Sequence, residues 1–311
     1  MDSINNPTSD FIAIQFFWDF NMIFLTGGTG FLGSYLLKSL IKSQKTIHCL
    51  RRRNSVFKRI DGEMNSVIKW VDSDNCNFGE YFKHNNIRYV IHCATNYGRN
   101  QNSSLEILDA NLILPLKLLQ AATENKVKAF INTDTFLDKR IGTYSLSKKQ
   151  FNEWLQTYSN KIACINIALE HFYGPNDDPS KFVSFILRAL LENKPSIDLT
   201  EGLQKRDFIY VEDVVNAIVL IINNLRNFNN GYHHFEIGSG TSIEIRAFVE
   251  LAKKLTGNVS TRFNFGAIPY RRNELMDTKV NISKLLSLGW RCQYDLTRGL
   301  IKTINYENIL S

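Results

Sequence analysis

Apolar residues in this chain fall into short runs separated by longer stretches of helical spacing. Met22-Ile23-Phe24-Leu25 is the first run, and Phe31, Leu32, Tyr35, Leu36, Leu37, Leu40 and Ile41 follow at the spacing of one helix face. Compact apolar runs predict further strands over residues 46–50, 67–72, 88–94, 127–132 and 162–169. Between them, the pattern predicts helices over 105–124, with Leu108, Leu112, Leu116 and Leu119 on one side, and over 144–158. Strands that alternate with helices predict an α/β fold with a parallel, doubly wound sheet. After Tyr173-Gly174-Pro175 the rhythm loosens. A helix is expected over 182–191, a strand over 206–210, a helix over 214–225, and a strand over 232–237 closed by Gly238-Ser239-Gly240; helices are expected over 245–255 and 296–304.

The link between the first strand and the first helix is Thr26-Gly27-Gly28-Thr29-Gly30-Phe31-Leu32-Gly33. In a strand–turn–helix setting, glycines at this spacing point to dinucleotide binding. Gly27 allows the tight turn, Gly30 lets backbone approach a pyrophosphate, and Gly33 lets helix and strand pack closely. The helix N-terminus offers free N–H groups to the phosphates. Phe31, Leu32 and Ala94, the last at the end of the fourth strand, are expected to line the same site. The second strand ends in Arg51-Arg52-Arg53 rather than in an acid. An acid there would bind the ribose hydroxyl of NAD, whereas Arg51 and Arg52 suit the 2′-phosphate of NADP; NAD stays open as an alternative. Asp72 is expected beside the adenine.

These elements divide the chain into a Rossmann-type dinucleotide-binding domain, residues 22–172 with about 207–240, and a smaller C-terminal substrate-binding lobe, residues 173–206 and 241–311. Residues 1–21 lack the cationic start and cleavage site of a secretory signal. They are expected to be an extension outside the core fold, with Met22 as the natural start.

The formal charge of +7 is modest, and Lys and Arg are scattered. That suits small polyphosphate ligands and gives no reason to expect nucleic acid. No apolar run nears the ~20 residues needed to span a bilayer, so no membrane association is expected. The five cysteines form no CxxC pair. Cys49, Cys93 and Cys164 fall in predicted strands and are expected as buried free thiols of a cytoplasmic protein. No metal site is suggested.

Tyr144 and Lys148 lie four apart at the start of a predicted helix, so they share a face. In that arrangement the ammonium is expected to lower the phenol pKa and to reach the cofactor ribose, leaving the phenol to protonate a ketone oxygen. A hydroxyl from the end of the fifth strand should complete the site. Thr135 is the first choice and Thr133 the second.

Taken together, Gly27 to Gly33, the Tyr144/Lys148 pair, Tyr173-Gly174-Pro175, Arg206-Asp207-Phe208 and Leu288-Gly289-Trp290 resemble the extended short-chain dehydrogenase/reductase family over roughly residue 22 to the C-terminus. Tyr97-Gly98-Arg99, Asn132 to Phe136, Leu169 to Gly174, Gly202 to Phe208 and Arg271 to Met276 are similar to its 4-keto-reductase branch, that of the CDP-abequose and CDP-paratose synthases. This resemblance implies NADPH-dependent reduction of the 4-keto group of a nucleotide-diphosphate-linked deoxysugar, as in bacterial O-antigen sugar synthesis. The substrate would be a CDP-4-keto-3,6-dideoxyhexose or, as in the dTDP-D-fucose-forming type, a dTDP-4-keto-6-deoxyhexose.

By the same resemblance Thr135 holds the carbonyl, Tyr144 donates the proton and Lys148 assists it. Arg206 and Arg271 contact the diphosphate, to which Arg is suited by charge-assisted bonds. His171 stands where many relatives carry a substrate-binding Asn. The family's 4,6-dehydratases need an Asp-Glu pair after the catalytic Thr; Phe136-Leu137 stand here instead, which argues against dehydration. A 4-epimerase working with NAD uses the same three residues and is the alternative enzyme reading. A non-catalytic NADP-sensing protein is the alternative of another class. Relatives that pair through the helices around 105–124 and 144–158 imply a homodimer.

Overall fold

In the computed structural model, residues 22–99 and 102–310 are described; the extension expected over 1–21 lies outside them. The chain begins with β1 (Met22–Thr26), α1 (Phe31–Lys42), β2 (Thr46–Arg51), α2 (Gly62–Val67), β3 (Lys69–Asp72), α3 (Phe78–His84) and β4 (Tyr89–His92). Then come α4 (Ser104–Leu108), a π-helical turn (Asp109–Ile113), α5 (Leu114–Glu124), β5 (Ala129–Thr135), α6 (Thr143–Thr157), β6 (Ala163–Leu169) and β7 (His171–Tyr173). The rest comprises α7 (Phe182–Leu191), β8 (Ser196–Leu199), β9 (Lys205–Tyr210), α8 (Val211–Asn223), β10 (Gly231–Ile237), β11 (Ser242–Glu244), α9 (Ile245–Thr256), β12 (Arg262–Phe265), α10 (Ser283–Ser287) and α11 (Leu296–Leu310).

Seven strands form one sheet in the order β10-β6-β5-β4-β1-β2-β3, and each neighbouring pair is parallel. The expected doubly wound parallel α/β sheet of Rossmann type is therefore present. Both faces are covered, which explains why its strands read as continuous apolar runs. Ile23, Leu25, Ile131 and Ile165 face one buried cluster, and Phe24, Val90, Phe130 and Cys164 face the other. Burying such a side chain stabilises the fold by about 1.5–3 kcal/mol.

A separate core gathers Tyr173, Ile186, Leu187, Phe208, Phe248 and Leu300 around α7, β9 and α9. Two small sheets accompany it, β11-β9-β7 and β12-β8. Buried carboxylates tie this region to the main sheet. Asp207 accepts from the backbone N–H groups of Ser239 and Gly240 at 2.7 and 2.8 Å. Asp213 accepts from those of Gln293 and Tyr294, each at 2.9 Å. Leu285 and Trp290 pack into the core of the main sheet.

Several boundaries differ from the sequence expectation. The strand expected over 67–72 begins at Lys69, because Val67 closes α2. The helix expected over 105–124 is interrupted by the π-helical turn, which buries the Asn111 side chain. The fifth strand starts at Ala129 and continues past Asn132 to Thr135, in register with Leu169 of β6. Cys93 lies one residue beyond β4, not inside it. All five cysteines are free thiols. No helix among the described residues is long and apolar enough to cross a membrane.

Candidate active site

The glycine turn sits at the C-terminal end of β1, in the middle of the sheet. Gly27 has φ +75°, and a Cβ there would fall 2.5 Å from the amide nitrogen of Ala94. A Cβ on Gly33 would fall 2.1 Å from the carbonyl oxygen of Gly27. Only glycine permits these approaches. Gly30 is the N-cap of α1, and neither a capping side chain nor an acid in the first turn closes that helix end. Its N–H groups and dipole thus face outward, ready for an anion. Phe31 stacks on Phe172, with centroids 5.8 Å apart, and the Lys181 ammonium lies 5.0 and 4.5 Å from those two rings. Lys181 also pairs with buried Asp177 at 2.9 Å.

At the end of β2, Arg51 donates through Nε to Asp72 at 2.7 Å and lies 5.8 Å from the Phe57 ring centroid. Asp72 is thus the partner of Arg51 rather than a free group, because β2 and β3 place the two side by side in register. The Arg52 and Arg53 side chains are exposed beside them.

β5 and α6 bring the expected reacting groups together. Tyr144 is half-buried, with its hydroxyl facing the side chains of Thr135 and Thr95. Its ring lies 4.9 Å from that of Tyr97. Thr133 instead donates to the His92 carbonyl at 3.1 Å, so Thr135 is the hydroxyl that meets the phenol. Lys148 is only 2 % exposed, and its Nζ has no hydrogen-bond partner among the described residues.

Burial pushes the Tyr144 phenol well above its usual range, and Tyr97 and Asp134 push the same way against the Thr135 bond. The expected lowering by Lys148 is not observed: Lys148 is not among the groups that move the phenol, and desolvation sets the direction. Burial draws Lys148 itself down to about 8, against the opposing charge of Asp134. A buried ammonium left without a partner is costly, and none of the described residues supplies Lys148 Nζ with an acceptor.

A small cavity of about 20 Å³ starts at Phe136, the residue after Thr135; Thr135, Tyr144 and Lys148 do not line it. Phe136, Leu137 and Ile141 line one part, and His171, Arg206 and Arg271 another, so the three expected substrate residues converge there. Arg206 is buried and ion-paired with Glu274, and it donates to the carbonyls of Lys205 and Leu275, each at 2.6 Å. His171 Nδ1 meets Glu170 Oε1 at 3.0 Å.

Some site residues escaped the sequence reading. Asn111 accepts from Thr95 Oγ1 at 3.1 Å and from the Asn96 amide at 2.8 Å, and it donates to Ser147 Oγ at 3.1 Å. It thereby ties the loop after β4 to the residue preceding Lys148. The one sequence signal is a polar residue amid an apolar stripe. Asp134 and Lys149 form an ion pair at 3.2 Å behind Thr135; Asp134 lies past the expected end of the strand, among polar neighbours, so the sequence carried no signal for it.

A family model described as the NAD dependent epimerase/dehydratase family matches residues 23–238. The chain belongs to that family. It is accordingly an NAD(P)-dependent enzyme of oxidoreductase or epimerase type within the extended short-chain dehydrogenase/reductases. A CDP-abequose synthase from Salmonella muenchen is 35% identical over 298 residues, 92% of this chain and 97% of that protein. A putative UDP-glucose 4-epimerase from Methanocaldococcus jannaschii is 24% identical over 313 residues, 92% and 98% of the two chains. Among solved structures, a UDP-glucuronic acid 4-epimerase from Bacillus cereus, in complex with UDP-glucuronic acid and NAD, superposes with TM-score 0.80 at 22% identity, covering 93% of this chain and 100% of that one. Three features of this family member fit a nicotinamide dinucleotide: the uncapped start of α1, the cradle that a Cβ would fill, and the partnerless Lys148 ammonium.

Proposed function

We propose that this enzyme uses NADPH to reduce the 4-keto group of a nucleotide-diphosphate-linked 4-keto-6-deoxyhexose, CDP-4-keto-3,6-dideoxyglucose first and dTDP-4-keto-6-deoxyglucose second, in the supply of O-antigen sugars. The observation that carries the reading is the hydroxyl pair Thr135–Tyr144, set beside the buried Lys148 and followed by apolar Phe136 and Leu137 at the cavity. That arrangement can protonate a carbonyl oxygen but offers no acid/base pair for eliminating water. The 35% identity to a CDP-abequose synthase supports the same reading.

The cofactor, when bound, supplies hydride to C4. The uncapped N-terminus of α1 holds its diphosphate, the turn from Gly27 to Gly33 and Ala94 shape its bed, and Lys148 holds a ribose hydroxyl. Arg51, Arg52 and the neighbouring Asp72 flank the adenosine end, where the arginine charge favours a 2′-phosphate. Thr135 donates a hydrogen bond to the ketone oxygen. Tyr144 gives its proton to that oxygen as the carbon is reduced, so the C=O becomes CH–OH and the phenol is later reprotonated from solvent. Arg206 and Arg271 bind the substrate diphosphate, and His171 a sugar hydroxyl. In this reading residues 22–172 with about 207–240 hold the cofactor, and 173–206 with 241–311 present the sugar nucleotide.

A homodimer fits as well. Leu105 and Ile113 by the α4–α5 pair, and Leu146 and Trp154 on the neighbouring α6, are exposed apolar side chains. Stoichiometric loss of NADPH with the keto sugar tests the reaction. Interconversion of C4 epimers without net loss of cofactor would overturn it in favour of a 4-epimerase.

A further inference from the structure

The side chain of Asp134 has no exposed surface, although it sits in the polar end of β5, past the strand expected over 127–132. Such a charge persists only when it is fully compensated. Its Oδ1 accepts from the Thr135 amide at 2.7 Å. Its Oδ2 accepts from Lys149 Nζ at 3.2 Å and from Asn166 Nδ2 at 3.0 Å. Asn166 is itself fixed, accepting from Asn132 Nδ2 at 2.7 Å. Lys149 also donates to the carbonyl oxygen of Thr135. Thr135 is thereby gripped at its amide and at its carbonyl, while its Oγ1 accepts from the Leu137 amide at 3.2 Å.

Helix geometry explains how one helix serves both tasks. Tyr144 and Lys148 share a face of α6, and Lys149, about 100° further round, leaves that face to reach the end of β5. Each member of the ion pair is the sequence neighbour of a group placed in the reaction: Asp134 of Thr135, and Lys149 of Lys148.

We propose that buried Asp134 and half-buried Lys149 form a clamp joining the end of β5 to α6, and that this clamp sets the separation of the Thr135 and Tyr144 hydroxyls on which turnover depends. The inference rests on the functional reading above. It makes Asp134 and Lys149 positioning residues that touch neither substrate nor cofactor. A pair serving stability alone could be replaced by neutral side chains without loss of rate, because buried ion pairs are often dispensable to stability. A clamp could not.

The test compares Lys149→Met, Lys149→Arg and the double variant Asp134→Asn/Lys149→Met with the unaltered enzyme. Amide hydrogen exchange across residues 134–144 is measured on each, together with kcat and KM for NADPH and CDP-4-keto-3,6-dideoxyglucose. Lys149→Met is expected to speed exchange at 134–144 but not in β1 or β4. Its kcat should fall about 10²-fold with both KM values within about threefold, as for misplaced reacting groups. Lys149→Arg should restore most of kcat. The double variant should fold without the buried unpaired charge and remain slow; if Lys149→Met alone fails to fold, the double variant decides.

Unchanged exchange and kcat in the double variant would overturn the clamp. Failure of the unaltered enzyme to oxidise NADPH with this sugar, or undiminished turnover by Tyr144→Phe, would instead overturn the functional reading, and the exchange measurement would still decide the clamp.

Discussion

Tyr144 and Lys148 occupy one face of α6, and burial moves their pKa values in opposite directions. The phenol goes up and the ammonium comes down to about 8; in both cases desolvation disfavours the charged form. For Lys148 the charged, hydrogen-bonding form exists below about pH 8 and is lost as pH rises through it. His92, Cys93, Asp134 and Lys149 are the titratable groups acting on it. A pH profile of kcat/KM for NADPH oxidation should accordingly show an alkaline limb near pH 8, and a profile flat to pH 10 would remove Lys148 from the mechanism. Tyr144→Phe should lower kcat by about 10²–10⁴-fold, the usual worth of a placed proton donor, while NADPH binding, followed by fluorescence, stays intact. The spacing of Tyr144 and Lys148 was legible in the sequence because helix periodicity is local. The direction of the phenol shift was not, because it depends on how much protein covers the ring.

At the scale of elements, the turn between β1 and α1 was legible because its glycines answer a local backbone demand. Gly33→Ala should separate α1 from that turn, since the added Cβ would meet the Gly27 carbonyl. The expected cost is about 1–3 kcal/mol, as for overpacking in a tight core, read as a lowered Tm together with weaker NADPH binding. The end of β5 was not legible. Asn132-Thr133-Asp134-Thr135 is polar and resembles a strand terminus, yet it continues the strand because Asn166 pairs with Asn132 Nδ2 and, with Lys149, with the Asp134 carboxylate. Those partners lie far along the sequence or on another element, beyond the reach of periodicity. The π-helical turn escaped for a similar reason. Its effect is to bury Asn111 against the loop after β4, and neighbouring residues do not encode that loop.

For the molecule as a whole, the alternation of strands and helices was enough to anticipate the parallel sheet, since a βαβ chain has few ways to cover both faces. How the later segments return was less legible. Leu285 and Trp290 fold back into the core of the main sheet, while α7, α9 and α11 build their own. The exposed apolar side chains on α4 to α6 belong to this scale too. If they form a dimer interface, Leu146→Glu/Trp154→Glu should convert the protein to monomers in sedimentation velocity, and a sedimentation coefficient unchanged from the parent would exclude that face. The central claim concerns the direction of the chemistry. NADPH absorbance followed with CDP-4-keto-3,6-dideoxyglucose, with the product examined by NMR at C4, tests it most directly. One NADPH oxidised per ketone reduced, giving a single C4 configuration, is the predicted result. Absence of NADPH oxidation with both this sugar and dTDP-4-keto-6-deoxyglucose, by enzyme that binds NADPH, would contradict it.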